Sequence, residues 1–260
     1  MAGLDMRLDM ARLARRAMDG AARAGRVIWP PRSLVTGETQ TMPGVPAADF
    51  AALTFLTGAL CERCGQPMEL DVGAGQDCAA CIAKPPPWDR ARAALVYDDV
   101  SRRPVLALKR GGRRDGLSTL TGWMAAAGRD MLDSADALVP VPLHYTRLAK
   151  RGYNQAGWLA AALSRQANVP VCVDALKRVK ATPSQGGLSA SARKRNVAGA
   201  FEVRSRRSSR IAGKRIILVD DVLTTGATLS GCARALKKGG AVRVDVLVLA
   251  RVVRERDVSI

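Results

Sequence analysis

The chain has one histidine, His144, and only ten aromatic residues (four Trp, three Tyr, three Phe) among 260 positions. So few rings are poor material for stacking successive nucleobases. His144 offers one candidate for imidazole acid–base chemistry, but its place after a short apolar run reads as a residue closing a strand end. No stretch approaches the roughly 20 apolar residues that a membrane helix needs, so no transmembrane segment is expected. The N-terminus has Asp5 and Asp9 among its arginines and no apolar h-region. It is not read as a secretory signal, and a cytoplasmic protein is expected. Acids are scarce too: 23 Asp and Glu against 41 Lys and Arg give a formal charge of +18. Such an excess points to polyanionic partners (nucleic acid, nucleotides or pyrophosphate), with a merely basic surface as the alternative. Twelve of the cations lie between Lys177 and Arg215, where Glu202 is the only acid.

The most informative stretch is Arg215–Thr228, RIILVDDVLTTGAT. Ile216–Val219 is apolar without alternation, the pattern of a parallel strand buried on both faces. Asp220 and Asp221 follow at its carboxyl end, then the hydroxyl-rich Thr224-Thr225-Gly226-Ala227-Thr228. Leu229, Cys232, Ala233 and Leu236 next fall at helical spacing, and Gly239-Gly240 ends the helix. A helix start can cradle a phosphate with backbone N–H groups, and threonines add donors. Carboxylates beside it can accept from sugar hydroxyls or help hold a divalent cation. The stretch thus reads as a site for a phosphorylated sugar; the alternative is an ordinary strand–turn–helix with exposed carboxylates. It closely resembles the phosphoribosyl pyrophosphate (PRPP) signature of type I phosphoribosyltransferases. The resemblance implies that Asp220 and Asp221 contact the ribose hydroxyls and that Thr224, Thr225, Gly226, Ala227 and Thr228 wrap the 5′-phosphate.

Six cysteines complete the inventory. Cys61-x-x-Cys64-Gly65 and Cys78-x-x-Cys81, with thirteen residues between Cys64 and Cys78, form a zinc-ribbon pattern. Each C-x-x-C makes a tight turn that presents two thiolates to one tetrahedral ion, and Gly65 permits the left-handed residue after it. A redox C-x-x-C is the alternative, disfavoured by the duplication. Four thiolates fill the sphere, so a structural Zn2+ is expected. Cys232 reads as core. Three units follow: a helical and connector segment over 1–55, a zinc ribbon over 56–87 ending in Pro85-Pro86-Pro87, and an α/β domain over 88–260. Within them, helices are expected over residues 1–28, Phe50–Leu60, Leu117–Leu132 and Asn154–Gln166. Strands are expected at Ala93–Tyr97, Ala137–Val141, Arg215–Val219 and Ala241–Leu249. Their alternation predicts a mostly parallel sheet flanked by helices.

A second loop after a buried strand, in LVPVPLHYTRLAKRGYNQ, has Arg147, Lys150 and Arg151 and then Gly152 and Asn154 at a helix start. Such a turn suits a pyrophosphate, and open α/β sheets bind ligands at strand carboxyl ends. Lys109 in LKRGGRRD is a further phosphate candidate. The basic insert Arg178–Phe201 has Gly186-Gly187 as a hinge, so Arg193 and Arg195 could swing over the phosphates; a merely basic loop is the equal alternative. The order of these blocks with TPSQGGLSASARKRNVAGAF closely resembles the ComF family of competence-associated phosphoribosyltransferase-like proteins over about residues 55–251. The resemblance implies a type I phosphoribosyltransferase fold, PRPP binding with Mg2+, and a link to DNA uptake. Arg147, Arg151, Asn154 and Lys109 join the expected PRPP ligands. Asp220, Asp221 and Arg193 are the expected catalytic residues for transfer of a pentosyl group to an unidentified acceptor. An accessory role is the alternative, with single-stranded DNA and the competence machinery as partners. One departure stands out: family members often have two cysteine knuckles, and here Ser33 takes a cysteine's place. The first metal site is therefore lost.

Overall fold

A computed structural model describes residues 33, 36–40, 45–68, 75–110, 116–179 and 199–253. The expected helix over 1–28, the Gly186-Gly187 hinge, Arg193 and Arg195 lie outside the described residues. The elements in chain order are α1 (Ala47–Ala51), α2 (Ala79–Ala83), β1 (Ala91–Val96), α3 (Arg102–Arg110), α4 (Leu117–Ala127), α5 (Arg129–Ser134) and β2 (Ala137–Pro140). They continue with α6 (Tyr145–Arg151), α7 (Gln155–Ala167), β3 (Leu176–Arg178), β4 (Phe201–Val203), a 3-10 turn (Ser205–Arg210), β5 (Arg215–Leu223), α8 (Ala227–Lys238) and β6 (Arg243–Arg251).

Four strands form one parallel sheet in the order β1-β6-β5-β2. The apolar run of β5 serves both faces. Ile216 and Leu218 pack with Leu229, Cys232 and Leu236 of α8, whereas Ile217 and Val219 pack with Leu120 of α4 and Leu159 and Leu163 of α7. α7 and α8 therefore cover opposite faces. A crevice opens between the carboxyl ends of these two strands, the place where open α/β sheets bind ligands.

Some elements differ from the sequence reading. Leu117–Leu132 is not one helix: it breaks at Gly128, where an added Cβ would sit 2.7 and 2.9 Å from the methyls of Leu247. A larger residue there would have to displace that buried leucine side chain of β6. Within the expected helix Phe50–Leu60, the helix ends by Ala51, and the following residues run antiparallel along the edge of β1. There Leu56 N–H donates to Ala94 O at 2.9 Å and Val96 N–H to Thr54 O at 2.9 Å. This segment covers an otherwise open sheet edge. The basic insert begins and ends in an antiparallel pair, β3 with β4, which joins Arg178 to Phe201 and had no counterpart in the sequence reading.

The N-terminal turns share one geometry. Cys61 N–H donates to Gln66 O and Gly65 N–H to Cys61 O, both at 2.8 Å, with Gly65 at φ +66°. Ser33 repeats the pattern: its N–H donates to Glu38 O at 2.8 Å, Gly37 N–H donates to Ser33 O at 3.2 Å, and Gly37 has φ +78°. Its buried hydroxyl donates to Asp49 of α1.

Candidate functional site

β5 runs on through both carboxylates to Leu223. Because side chains alternate along a strand, the two acids have different surroundings. Asp221 is buried and engaged: it accepts from Gln155 Nε2 at 3.0 Å and pairs with Lys109 Nζ at 3.1 Å. Gln155 in turn accepts from Arg151 Nη1 at 2.7 Å. A buried charge is tolerated when paired and hydrogen-bonded in this way. Asp220 keeps partial exposure to the crevice, and its Oδ1 accepts from the N–H of Asp221 at 2.9 Å. Burial of its carboxyl, then the neighbouring Asp221 charge, pushes it up to about 8, against the opposing pull of the Asp221 N–H and Lys109.

The crevice has a volume of about 240 Å³ and unites the two loops singled out in the sequence. Lys109, Arg147 and Arg151 line it from one side; Asp220, Asp221, Thr224, Gly226, Ala227 and Thr228 line it from the other. Gly226, at φ +71°, precedes α8 and brings its first turn to the edge of the crevice. Two expected ligands stand apart from the lining. Asn154 caps α7, accepting from Ala156 N–H at 3.2 Å and donating to Val141 O at 3.0 Å. Thr225 is half-buried, and its Oγ1 has no hydrogen-bond partner among the described residues. His144 accepts from Thr146 N–H as the cap of α6, so it serves a helix start rather than the strand end expected of it.

Two lining residues escaped the sequence reading. Gln155 gave only a weak signal, as the first residue of a helix that faces the sheet. Arg178, the first residue of the basic insert, is buried, lines the crevice and lies 5.4 Å over the Phe201 ring. Burial lowers its guanidinium pKa, and the nearby Arg147 charge adds to the shift. Holding these like charges together favours an anionic ligand between them.

The cysteine cluster is a separate site. The four sulfurs of Cys61, Cys64, Cys78 and Cys81 lie within 4.8 Å of one another, with Cys64 and Cys78 at 3.8 Å. A tetrahedral ion with bonds of about 2.3 Å needs sulfurs about 3.8 Å apart, so the donor set fits one metal ion. Cys78 N–H also donates to Cys61 Sγ at 3.2 Å, the kind of support that a thiolate ligand receives.

Asp220 sets a pH dependence. Its folded form holds a proton between the ordinary carboxylate value of 3.8 and about 8, whereas the unfolded form does not. Its contribution to stability is therefore greatest at low pH and is lost as pH rises through that window. Asp220→Asn should remove this loss and make the unliganded protein more stable than the parent above pH 8, as measured by urea denaturation at several pH values.

A phosphoribosyl transferase domain model matches residues 148–259, which include the Asp220–Thr228 segment. Competence protein F of Haemophilus influenzae is 34% identical over 196 residues, covering 74% of this chain and 84% of that protein. The DNA utilization protein YhgH of Escherichia coli is 34% identical over 197 residues, with the same coverage. Competence protein ComFC of Bacillus subtilis is 28% identical over 205 residues, covering 76% of this chain and 80% of its own length. With this likeness extending over most of both chains, and with a parallel sheet of type I phosphoribosyltransferase class, the chain belongs to the ComF family.

Proposed function

We propose that the crevice binds PRPP and that the protein transfers its pentosyl group to an acceptor nucleophile. One observation carries this reading. The start of α8, the Asp220 carboxyl and the cations Lys109, Arg147, Arg151 and Arg178 converge on one cavity at the carboxyl ends of β2 and β5. The N–H groups at the start of α8, with Thr224 and Thr228, would hold the 5′-phosphate. Asp220 would accept from the ribose hydroxyls. Arg147, Arg151 and Arg178 would hold the pyrophosphate, which departs with the C1–O bonding pair as the acceptor bonds to C1 and gives up its proton. Magnesium, bound with PRPP beside Asp220, would offset phosphate charge. Lys109 and Gln155 would act by holding Asp221. Arg193 stays a candidate to cover the phosphates.

Calorimetry with PRPP and Mg2+ tests the reading. Binding should be seen, and Asp220→Asn or Arg178→Ala should each weaken it by about tenfold or more, as expected for loss of a charge-assisted hydrogen bond of ~1.5–3 kcal/mol. Absent binding, or unchanged affinity in both variants, overturns it. Release of pyrophosphate in a screen of nucleobases would identify the acceptor.

For the cysteine cluster we propose structural zinc, one ion per chain, held by Cys61, Cys64, Cys78 and Cys81 within a ribbon over 56–87. Zinc would supply a tetrahedral crosslink between the two turns. Cys78→Ser should release the metal and expose the ribbon to proteolysis. Elemental analysis finding no zinc in carefully purified protein would rule this out.

The names of the relatives favour a second reading, the handling of single-stranded DNA in competence, and the surface offers a place for it. Arg204, Arg206 and Arg210 on and beside the 3-10 turn are exposed, whereas Arg178 is turned into the crevice. Fluorescence anisotropy at several salt concentrations should show weak binding with a steep salt dependence. Arg204→Ala with Arg210→Ala should flatten the log–log slope by about 1.4, at roughly 0.7 per phosphate contact. No binding at low salt, or an unaltered slope, removes this reading.

A further inference from the structure

Trp88 follows the triple proline and touches both sites. Its indole N–H donates at 2.7 Å to the carbonyl of Arg63, inside the Cys61–Cys64 turn. The far edge of the ring lies against the phosphate loop: a Cβ at Gly226 would meet Trp88 Cη2 at 2.6 Å and Cζ3 at 3.4 Å. The side chain is 4% exposed and shares a cluster with Leu223 and Ala227, on either side of that loop. Asp89 fixes the chain beside it. The N–H of Asp89 donates to Val244 O, and its carboxylate accepts from Val244 N–H and Lys237 Nζ, all at 2.8 Å. The ring is therefore a wedge with an anchored base, a polar end on the cysteine turn and an apolar edge under the start of α8. Gly226 is the residue that would feel it. Its φ of +71° aims the first amides of α8, and its carbonyl accepts the first helical bond, from Ser230 N–H at 2.8 Å.

We propose that Trp88 is a positioning residue that couples the metal-holding cysteine turn to the phosphate loop, so that metal loading sets the order of Thr224–Thr228 and, through it, the affinity of the crevice for a phosphorylated ligand. The affinity part rests on the PRPP reading; the loop-order part does not. Metal binding fixes the Arg63 carbonyl, which fixes the indole, which fills the space that the missing Cβ at Gly226 leaves. Loss of the metal frees the acceptor and lets the ring leave the loop. By linkage, a ligand held by the ordered loop must also slow metal loss.

The test uses the full-length, zinc-loaded protein. Hydrogen exchange at Thr225–Ser230 should quicken about tenfold when a chelator removes the metal, within the usual 5–150-fold range of coupling, while α7 is unaffected. Trp88→Ala should give the fast loop with zinc still bound. Trp88→Phe keeps a ring against Gly226 but has no N–H for Arg63; its loop should stay slow and become indifferent to metal. Transfer of zinc to a chromogenic chelator should slow about tenfold with Mg2+ and PRPP in the parent and not in Trp88→Phe. Loop exchange that responds neither to metal removal nor to Trp88→Ala overturns the coupling, as does a Trp88→Phe loop that follows the metal like the parent. A loop that responds in a protein that binds no PRPP sustains the coupling and removes the PRPP reading. PRPP binding that leaves zinc transfer unslowed overturns the coupling alone.

Discussion

The buried carboxylate of Asp221 ties the site's elements together. It joins β5 to α3 through Lys109 and to α7 through Gln155, and Gln155 extends the chain of contacts to Arg151 of α6. A charge buried to this degree is costly unless paired and hydrogen-bonded, and removal of one partner leaves the others uncompensated. These contacts hold the two loops at a fixed separation. They also distinguish the acidic pair: both carboxylates line the crevice, but Asp221 is buried and paired, whereas Asp220 keeps partial exposure.

Charges of both signs line the crevice. Lys109 pairs with Asp221, and the charge of Arg147 bears on the buried Arg178 guanidinium. Across from them, burial and the Asp221 charge push the Asp220 carboxyl up to about 8. In the PRPP reading, phosphate oxygens would meet the arginines, and ribose hydroxyls or a bound cation would meet the Asp220 carboxyl. Perturbed groups of this kind gather at functional sites.

Local signals carried most of the fold. β5 and α8 were legible because a continuous apolar run and an i, i+3, i+4, i+7 pattern depend on neighbouring residues alone. The four-cysteine site was legible for the same reason. What escaped depends on distant partners. Gly128 sits at the break between two helices, packed against Leu247 from far along the chain. The apolar residues after Ala51 looked helical but serve the edge of β1. Arg178 looked like one more surface cation; only the pairing of β3 with β4 turns it into the crevice. Asn154 was correctly placed at a helix start, but its side chain goes to capping rather than to the cavity lining. The site was therefore readable as two loops, and the contacts that join them were not.

The turns at Ser33 and Cys61 separate what the backbone supplies from what a metal adds. Both close with the same pair of hydrogen bonds and the same left-handed glycine, yet one of them has no thiols. The knuckle shape thus follows from the chain itself, with glycine at the one position where a Cβ would be strained. At Gly65 that Cβ would also sit 2.9 Å from the carbonyl oxygen of Ala91, so the turn presses against the start of β1. The two turns differ in how they are tied to the rest. The Ser33 hydroxyl reaches Asp49 by a hydrogen bond, whereas the thiols of the Cys61 turn converge with those of Cys78 and Cys81 on a common centre. A metal there would do for the second turn what one hydroxyl–carboxylate contact does for the first, with four bonds in place of one. The stronger tie lies where the turn meets β1 and the indole that reaches the phosphate loop.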